Sequence, residues 1–259
     1  MVSTPAYPEG RHLLDGKTVL ITAAAGTGIG FATAKRCIEE GARVAISDVH
    51  ERRLAQAAEN LSELAGERVL ALRCDVTLES EVQALVAGAI SSLGHIDVLI
   101  NNAGLGGTAQ LVEMSDEQWQ RVIDVSLTGT FRVTRATLHH MLARGRGSIV
   151  NNASVLGWRA QPGQAHYAAA KAGVMAFTRC VAMEAASAGV RVNAVAPSLA
   201  AHEFLSKVAG AELLAELTSR EAFGRAAEPW EVANVIVFLA SDLASYMTGE
   251  IIAVSSQHP

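Results

Sequence analysis

From Lys17 onward, short apolar runs rich in β-branched residues alternate with longer segments of helical pattern. KTVLIT, RVAIS, ERVLALRC, DVLIN, GSIVNN, VRVNAVA and EIIAVS are the strand candidates. Residues 31–41, 50–65, 78–93, 115–143, 164–188 and 228–240, rich in alanine, leucine, glutamate and arginine, are the helix candidates. Strands alternating with helices imply right-handed βαβ crossovers and a mainly parallel sheet covered on both faces. The expectation is an α/β, doubly wound, seven-stranded parallel sheet in a single domain spanning 17–259. Two stretches stand outside the alternation. Residues 1–16 are expected to form a loose N-terminal arm. Residues 197–227 are helical in pattern but inserted between a strand and the last helix, where such insertions lie over the ligand crevice. They are read as a substrate lid with Leu199, Phe204, Leu205 and Val208 as its apolar residues.

Composition narrows the partners. The chain has 259 residues, 50% of them hydrophobic, which suffices for one large core. Its net charge is −5 and no run of like charges exceeds three, so the clustered basic face of a nucleic-acid binder is not expected. No stretch approaches the ~18 to 20 uncharged apolar residues of a membrane span, and the N-terminus has prolines and charges where a signal peptide has its apolar region. A soluble cytoplasmic protein is expected. Cys37, Cys74 and Cys180 show no metal-binding spacing and read as small buried hydrophobes.

Candidate chemistry begins where the first strand ends, at TAAAGTGIG, residues 22–30. In a doubly wound fold the first strand-to-helix turn offers backbone N–H groups and the positive end of a helix dipole to a pyrophosphate. Gly26, Gly28 and Gly30 permit the close approach. The second strand ends at Asp48, eighteen positions after Gly30, where a carboxylate can accept hydrogen bonds from an adenosine ribose. The same charge repels a 2′-phosphate, which favours NAD over NADP. Arg52 and Arg53 follow closely and are expected to point to solvent. Further on, Tyr167 and Lys171 are four apart, on one face of a helix, and Ser154 stands thirteen positions before Tyr167. A phenol with a pKa of about 10 needs a nearby positive charge to exchange protons near neutrality.

With these residues, and with CDV at 74–76, NNAG at 101–104, RVNAVAP at 191–197 and EPWEVA at 228, the sequence resembles the short-chain dehydrogenase/reductase family over nearly all of its length after residue 16. The resemblance implies a Rossmann-like fold and transfer of a hydride between a nicotinamide and a secondary alcohol or ketone. It implies that Tyr167 is the general acid/base, that Ser154 hydrogen-bonds the reacting oxygen, and that Lys171 holds the nicotinamide ribose and lowers the Tyr167 pKa. It places Thr22, Ala24, Gly26, Thr27, Gly28 and Ile29 at the cofactor's phosphates, and Asp75 and Val76 at the adenine. Asn101, Asn102, Ala103 and Gly104 fall at the central ribose, and Val195 to Pro197, with Ser198, beside the nicotinamide. A homotetramer built through 115–143 and 164–188 is implied as well.

Several positions depart from the family pattern. Ser126 stands where the family has an asparagine associated with a water-linked proton relay, and it is expected to keep that relay in altered form through its own bound water. Ser198 stands where the family has a glycine, and His202 near the position of the family's threonine that contacts the nicotinamide, where it reads as a hydrogen-bond donor to the cofactor, a group facing an acidic substrate, or an exposed lid residue. EIIAVSSQHP lacks the usual acidic residue and paired glycines, a change expected to bear on the oligomer contact more than on the chemistry. Alanine occupies the place of the first glycine in TAAAGTGIG, at Ala23 or Ala24, and the turn is one residue longer. The extra residue is expected to carry the chain through ordinary dihedrals, leaving the left-handed position to Gly26.

Trp158, Arg159 and His166 are the substrate-pocket candidates. The substrate is read as a lipid- or steroid-ring-derived hydroxy or keto compound, including a coenzyme A thioester, on the similarity of TAAAGTGIGFATAKR and PSLAAHEF to actinobacterial members of the family. A 3-oxoacyl thioester reductase is the alternative, and a non-catalytic dinucleotide-sensing protein is the alternative of another class.

Overall fold

In the computed structural model, residues 2–201 and 211–257 are described. Seven parallel strands form one sheet: β1 (Thr18–Ile21), β2 (Arg43–Asp48), β3 (Leu70–Arg73), β4 (Val98–Asn101), β5 (Gly147–Asn152), β6 (Val190–Pro197) and β7 (Ile251–Val254). Their order is β3-β2-β1-β4-β5-β6-β7. Strand succession reverses between β1 and β4, which opens the crevice at the carboxyl ends where such sheets bind ligands.

Alternation along the strands builds two cores. Val19 and Ile21 of β1 face the layer of α1 (Ile29–Glu39), α2 (Glu51–Ala65) and a late helix at Pro229–Ala240. Leu20 faces the opposite layer, α3 (Glu79–Leu93), α5 (Gly129–Arg144) and α6 (Ala165–Ala185). All three β1 side chains are fully buried, each worth roughly 1.5–3 kcal/mol. A helix expected to run unbroken through 115–143 is divided. A capping box of Ser115 and Gln118 starts α4 (Asp116–Ile123), and a π-helical turn at Asp124–Thr128 joins it to α5.

A buried polar ladder ties the middle of the sheet to the second layer. Asn101 Nδ2 donates to Asn151 Oδ1 at 2.9 Å and to Thr134 Oγ1 at 2.8 Å, and Asn151 Nδ2 donates to Thr178 Oγ1 at 2.9 Å. Asn101, placed at the central ribose by the sequence, is therefore spent inside the protein.

The N-terminal arm is not loose. Glu40 accepts from the backbone N–H groups of Arg11 (2.8 Å) and Leu13 (3.1 Å), Arg36 donates to the Pro8 carbonyl, Tyr7 meets Trp230 edge to face, and Leu14 is fully buried. Cys37 and Cys74 are buried as expected, but Cys180 is exposed, because it lies on the outward face of α6. In the region read as a lid, Ala200 bridges Ala227, and α7 (Ala211–Ser219) precedes α8 (Pro229–Ala240). His202, Phe204, Leu205 and Val208 lie outside the described residues. Among the described residues no helix is long and apolar enough to cross a membrane.

Candidate active site

The turn after β1 is held from outside. Thr22 Oγ1, buried, accepts from the N–H groups of Asn102 (3.0 Å) and Ala103 (3.1 Å). The Ala23 carbonyl accepts from Asn102 Nδ2 at 2.9 Å, and the Ala24 N–H donates to the Ser47 carbonyl at 3.0 Å. Fixed on both sides, Ala23 adopts φ +51°, a left-handed conformation. Ordinary dihedrals through the longer turn were expected, so that account is corrected: Ala23 occupies the glycine-like position, and Gly26, at φ +101°, is left-handed as expected. Ala24 is fully buried and lines neither large cavity, contrary to its expected phosphate contact. Thr22 likewise braces the turn from within. Gly26, Thr27 and Gly28 lead into α1, whose first amides have no side-chain cap. At Gly30 a Cβ would collide with the Ala23 carbonyl and the Asn102 amide.

A cavity of about 890 Å³ opens beside this turn, lined by Ala23, Ala25, Asp48, Asp75, Val76, Asn102, Ala103 and Gly104. Asp48 Oδ2 accepts from the Ala25 N–H at 3.3 Å and Oδ1 from His50 N–H at 2.9 Å. Burial pushes its carboxyl up, opposed by the Ala25 bond and by Arg53. Arg53 is exposed, as expected of it, yet it also borders this cavity. Asp75 Oδ1 is held by Thr77 N–H at 2.9 Å and Thr77 Oγ1 at 2.7 Å. Gly104 allows close approach, for a Cβ there would stand 3.2 Å from Lys171 Nζ. An uncapped helix N-terminus, a carboxylate at the end of β2 and a glycine cradle at the end of β4 fit a dinucleotide in size and in chemistry.

Ser154, Tyr167 and Lys171 meet at the other end. Ser154 follows β5 and its Oγ caps the 3-10 turn Val155–Gly157 by accepting from Leu156 N–H at 3.2 Å. Lys171 is buried, and its Nζ donates to the Asn152 carbonyl at 2.6 Å while lying 5.6 Å from the Tyr167 ring centroid. Burial lowers the Lys171 pKa to about 8. Burial raises Tyr167, against a lowering hydrogen bond from Ser154. The bond that opposes this rise comes from Ser154, and the Lys171 ammonium is held by the Asn152 carbonyl.

Ser126 lies fully buried in the π-helical turn. Its Oγ donates to the Leu105 carbonyl at 3.1 Å and accepts from the Leu105 N–H at 2.9 Å. Its single proton is therefore committed to the backbone beside Gly104, so the hydroxyl braces that loop instead of presenting its proton to a relay water.

A second cavity of about 330 Å³ contains Ser154 and Tyr167 together with Ile29, Pro197, Ser198 and Leu199. Ile29, expected at the phosphates, faces this side. Of the substrate-pocket candidates Arg159 lines it. Trp158 is exposed, and His166 is buried against the Gly107 loop. Glu221 and Gln257 line it too and were missed, although the tail containing Gln257 had been expected to bear on assembly. Glu221 offered a faint signal, as a carboxylate within the inserted segment.

A family model described as enoyl-(acyl carrier protein) reductase matches residues 23–256. The chain is 62% identical over 256 residues, 98% of each chain, to a (5R,7aS)-5-hydroxy-7a-methyl-1-oxo-2,3,5,6,7,7a-hexahydro-1H-indene-carboxyl-CoA reductase of Mycobacterium tuberculosis. It is 42% identical to a 3-oxoacyl-[acyl-carrier-protein] reductase of Thermotoga maritima, over 93% of this chain and 97% of that one. Among solved structures, a short chain dehydrogenase from Mycobacterium smegmatis matches with a TM-score of 0.89 and 54% identity, covering 99% of both chains. Such coverage, joined to a crevice and helix pair of this geometry, makes the chain a member of the short-chain dehydrogenase/reductase family, an oxidoreductase of hydroxyl and keto groups that uses a nicotinamide dinucleotide.

Proposed function

We propose that this protein interconverts a ketone and a secondary alcohol on a compact ring carried as a coenzyme A thioester, with NAD as cofactor. The observation that carries the reading is that Ser154 and Tyr167 enter one cavity of about 330 Å³. That volume lies at the lower end of the ~300–1,000 Å³ range of small-molecule pockets, which suits a small ring with its thioester arm extending outward. The indene-carboxyl-CoA reductase of Mycobacterium tuberculosis, 62% identical, supports a substrate of that class.

In this reading Tyr167 gives its phenolic proton to the carbonyl oxygen, or takes it back in the reverse direction, and Ser154 Oγ hydrogen-bonds the same oxygen as charge develops. When bound, the nicotinamide supplies or accepts the hydride. Lys171, fixed by Asn152, orients the ribose and places a positive charge behind the phenol. Asp48 receives the adenosine ribose and opposes a 2′-phosphate, while Asp75 and Val76 flank the adenine and Asn102, Ala103 and Gly104 the central ribose. Gly26, Thr27 and Gly28 face the phosphates; Pro197 and Ser198 border the nicotinamide. Exposed Phe131 and Leu142 on α5 and Met183 on α6 support a homotetramer assembled through those helices. Cytoplasmic residence belongs to the same proposal, with Cys37 and Cys74 kept as thiols.

The test is turnover of a bicyclic keto acyl-CoA against a linear 3-oxoacyl-CoA, with NADH and NADPH. Preference for the cyclic thioester with NADH is expected. Tyr167→Phe should lose about 10²–10⁴ in rate while still binding NADH. A preference for the linear thioester moves the protein to the 3-oxoacyl reductases, and NADH binding without turnover of any ketone makes it a dinucleotide sensor.

A further inference from the structure

We propose that Gln257 is a specificity-determining side chain of the substrate cavity, reading a second oxygen on the ring away from the reacting carbonyl, and that Glu221 is the positioning residue that aims it. The proposal rests on the ketone-reductase reading of the same cavity and adds what that cavity selects.

After β7 the chain turns back over the cavity. Gln257 is gripped at both ends: Arg159 Nη1 donates to its Oε1, and its Nε2 donates to Glu221 Oε1 at 2.8 Å. An arginine can only donate and an ionised carboxylate can only accept, so the amide has one permitted orientation, with oxygen toward Arg159 and nitrogen toward Glu221. Most glutamines near a surface have no such constraint.

Glu221 is 4% exposed. Its Oε2 accepts from Ser256 Oγ at 2.7 Å and its Oε1 also from the Leu199 N–H at 3.4 Å. The backbone adds two ties, Ala222 N–H to the Ser256 carbonyl at 3.2 Å and Ser198 N–H to the Val254 carbonyl at 3.1 Å. One buried carboxylate thus gathers the tail, the segment after β6 and, through Gln257, the loop after Ser154. Removing a carboxylate from water is costly, and apolar contacts would fasten a tail more cheaply. The arrangement makes sense where an oriented polar group is required, and Gln257 lines the same cavity as Ser154 and Tyr167.

With one N–H and one lone pair engaged, the amide retains one N–H and one lone pair. These suit a carbonyl or a hydroxyl on the ring. A site built to hydrogen-bond a substrate group discriminates strongly against an analogue that lacks it, because its own polar atoms are then left without partners.

The experiment compares two probes on the full chain with NADH: a bicyclic ring ketone bearing a second carbonyl, as its CoA thioester, and the analogue with that carbonyl reduced to methylene. Steady-state kinetics are joined by calorimetric binding of each thioester, so that turnover is not the only readout. Gln257→Leu is expected to weaken the dicarbonyl probe at least tenfold in KM and in Kd relative to its effect on the methylene analogue, with kcat for the dicarbonyl probe within about threefold. Glu221→Gln, which removes the enforced orientation, should show part of the same selective loss. Gln257→Asn, which shortens but keeps the amide, should fall between. Equal effects on both probes, or none, overturn the proposal and reduce the tail to a wall. Selective binding that Gln257→Leu abolishes, in a wild-type protein that turns over neither probe, upholds the proposal and overturns the ketone-reductase reading.

Discussion

Asn102 Nδ2 donates to the Ala23 carbonyl at 2.9 Å, so the end of β4 holds an alanine of the first turn at φ +51°. A β-carbon in that region costs about 1 kcal/mol or more, and here the cost is met by bonds from β2 and β4.

Ala23→Gly should therefore stabilise the protein by about 1 kcal/mol, as glycine adopts the same backbone without the clash. Ala24→Gly, one residue on, should destabilise by roughly 0.5–1 kcal/mol, because Ala24 is buried with no left-handed strain to relieve. Urea denaturation of the two variants distinguishes the positions, and equal signs would refute the assignment.

Ser126→Ala deletes both bonds to Leu105 and leaves a part-buried N–H and carbonyl without partners. A loss of about 1–3 kcal/mol in stability is expected, with a raised KM for the dinucleotide as the loop at Gly104 loosens. An unchanged KM would remove Ser126 from any role at the cofactor.

Lys171 gives the apo-protein a distinct pH signature. Its pKa is about 8 when folded, against about 10.5 in a model peptide. The unfolded chain thus binds more protons between these values, and stability rises with pH there. Below pH 8 the penalty is fully present and flat. Relative to Lys171→Met, the wild type should gain up to about 3 kcal/mol as pH rises from 8 to 10.5. Denaturant midpoints across that window measure it, and parallel curves for the two proteins would mean that the ammonium is not desolvated.

Asp48→Asn should erode discrimination between NADH and NADPH by on the order of tenfold, about 1.4 kcal/mol, since asparagine keeps one of the two backbone bonds, from Ala25 or from His50, but no longer repels a 2′-phosphate. The ratio of kcat/KM for the two cofactors reports it. Arg53, bordering the same cavity, then faces the phosphate unopposed.

The alternation of strands and helices was legible because each element carries its own period; Asp48, Ser154, Tyr167 and Lys171 were singled out by local spacing, and Gly104 by the family resemblance that NNAG carries. The left-handed Ala23 was not, since a partner 79 residues away sets its dihedrals. Asn101 and Asn102 look alike in NNAG, but they point to opposite sides of the strand end, one into the buried ladder and one toward the cavity. The burial of Ser126 was hidden by a π-helical turn that shifts the helical period. Gln257 and Glu221 were beyond reach because the return of the tail from β7, not any motif, brings them together across 36 residues.

The ladder through the sheet has a mechanical consequence. Asn151 grips Thr178, and its neighbour Asn152 grips Lys171, so consecutive residues of β5 hold α6 at two points seven residues apart. That separation is about 10 Å along the axis. A rod pinned twice along its length can neither roll nor slide. The phenol of Tyr167, one turn from the upper pin, is therefore registered to the strand that delivers Ser154, and acid and partner keep their separation.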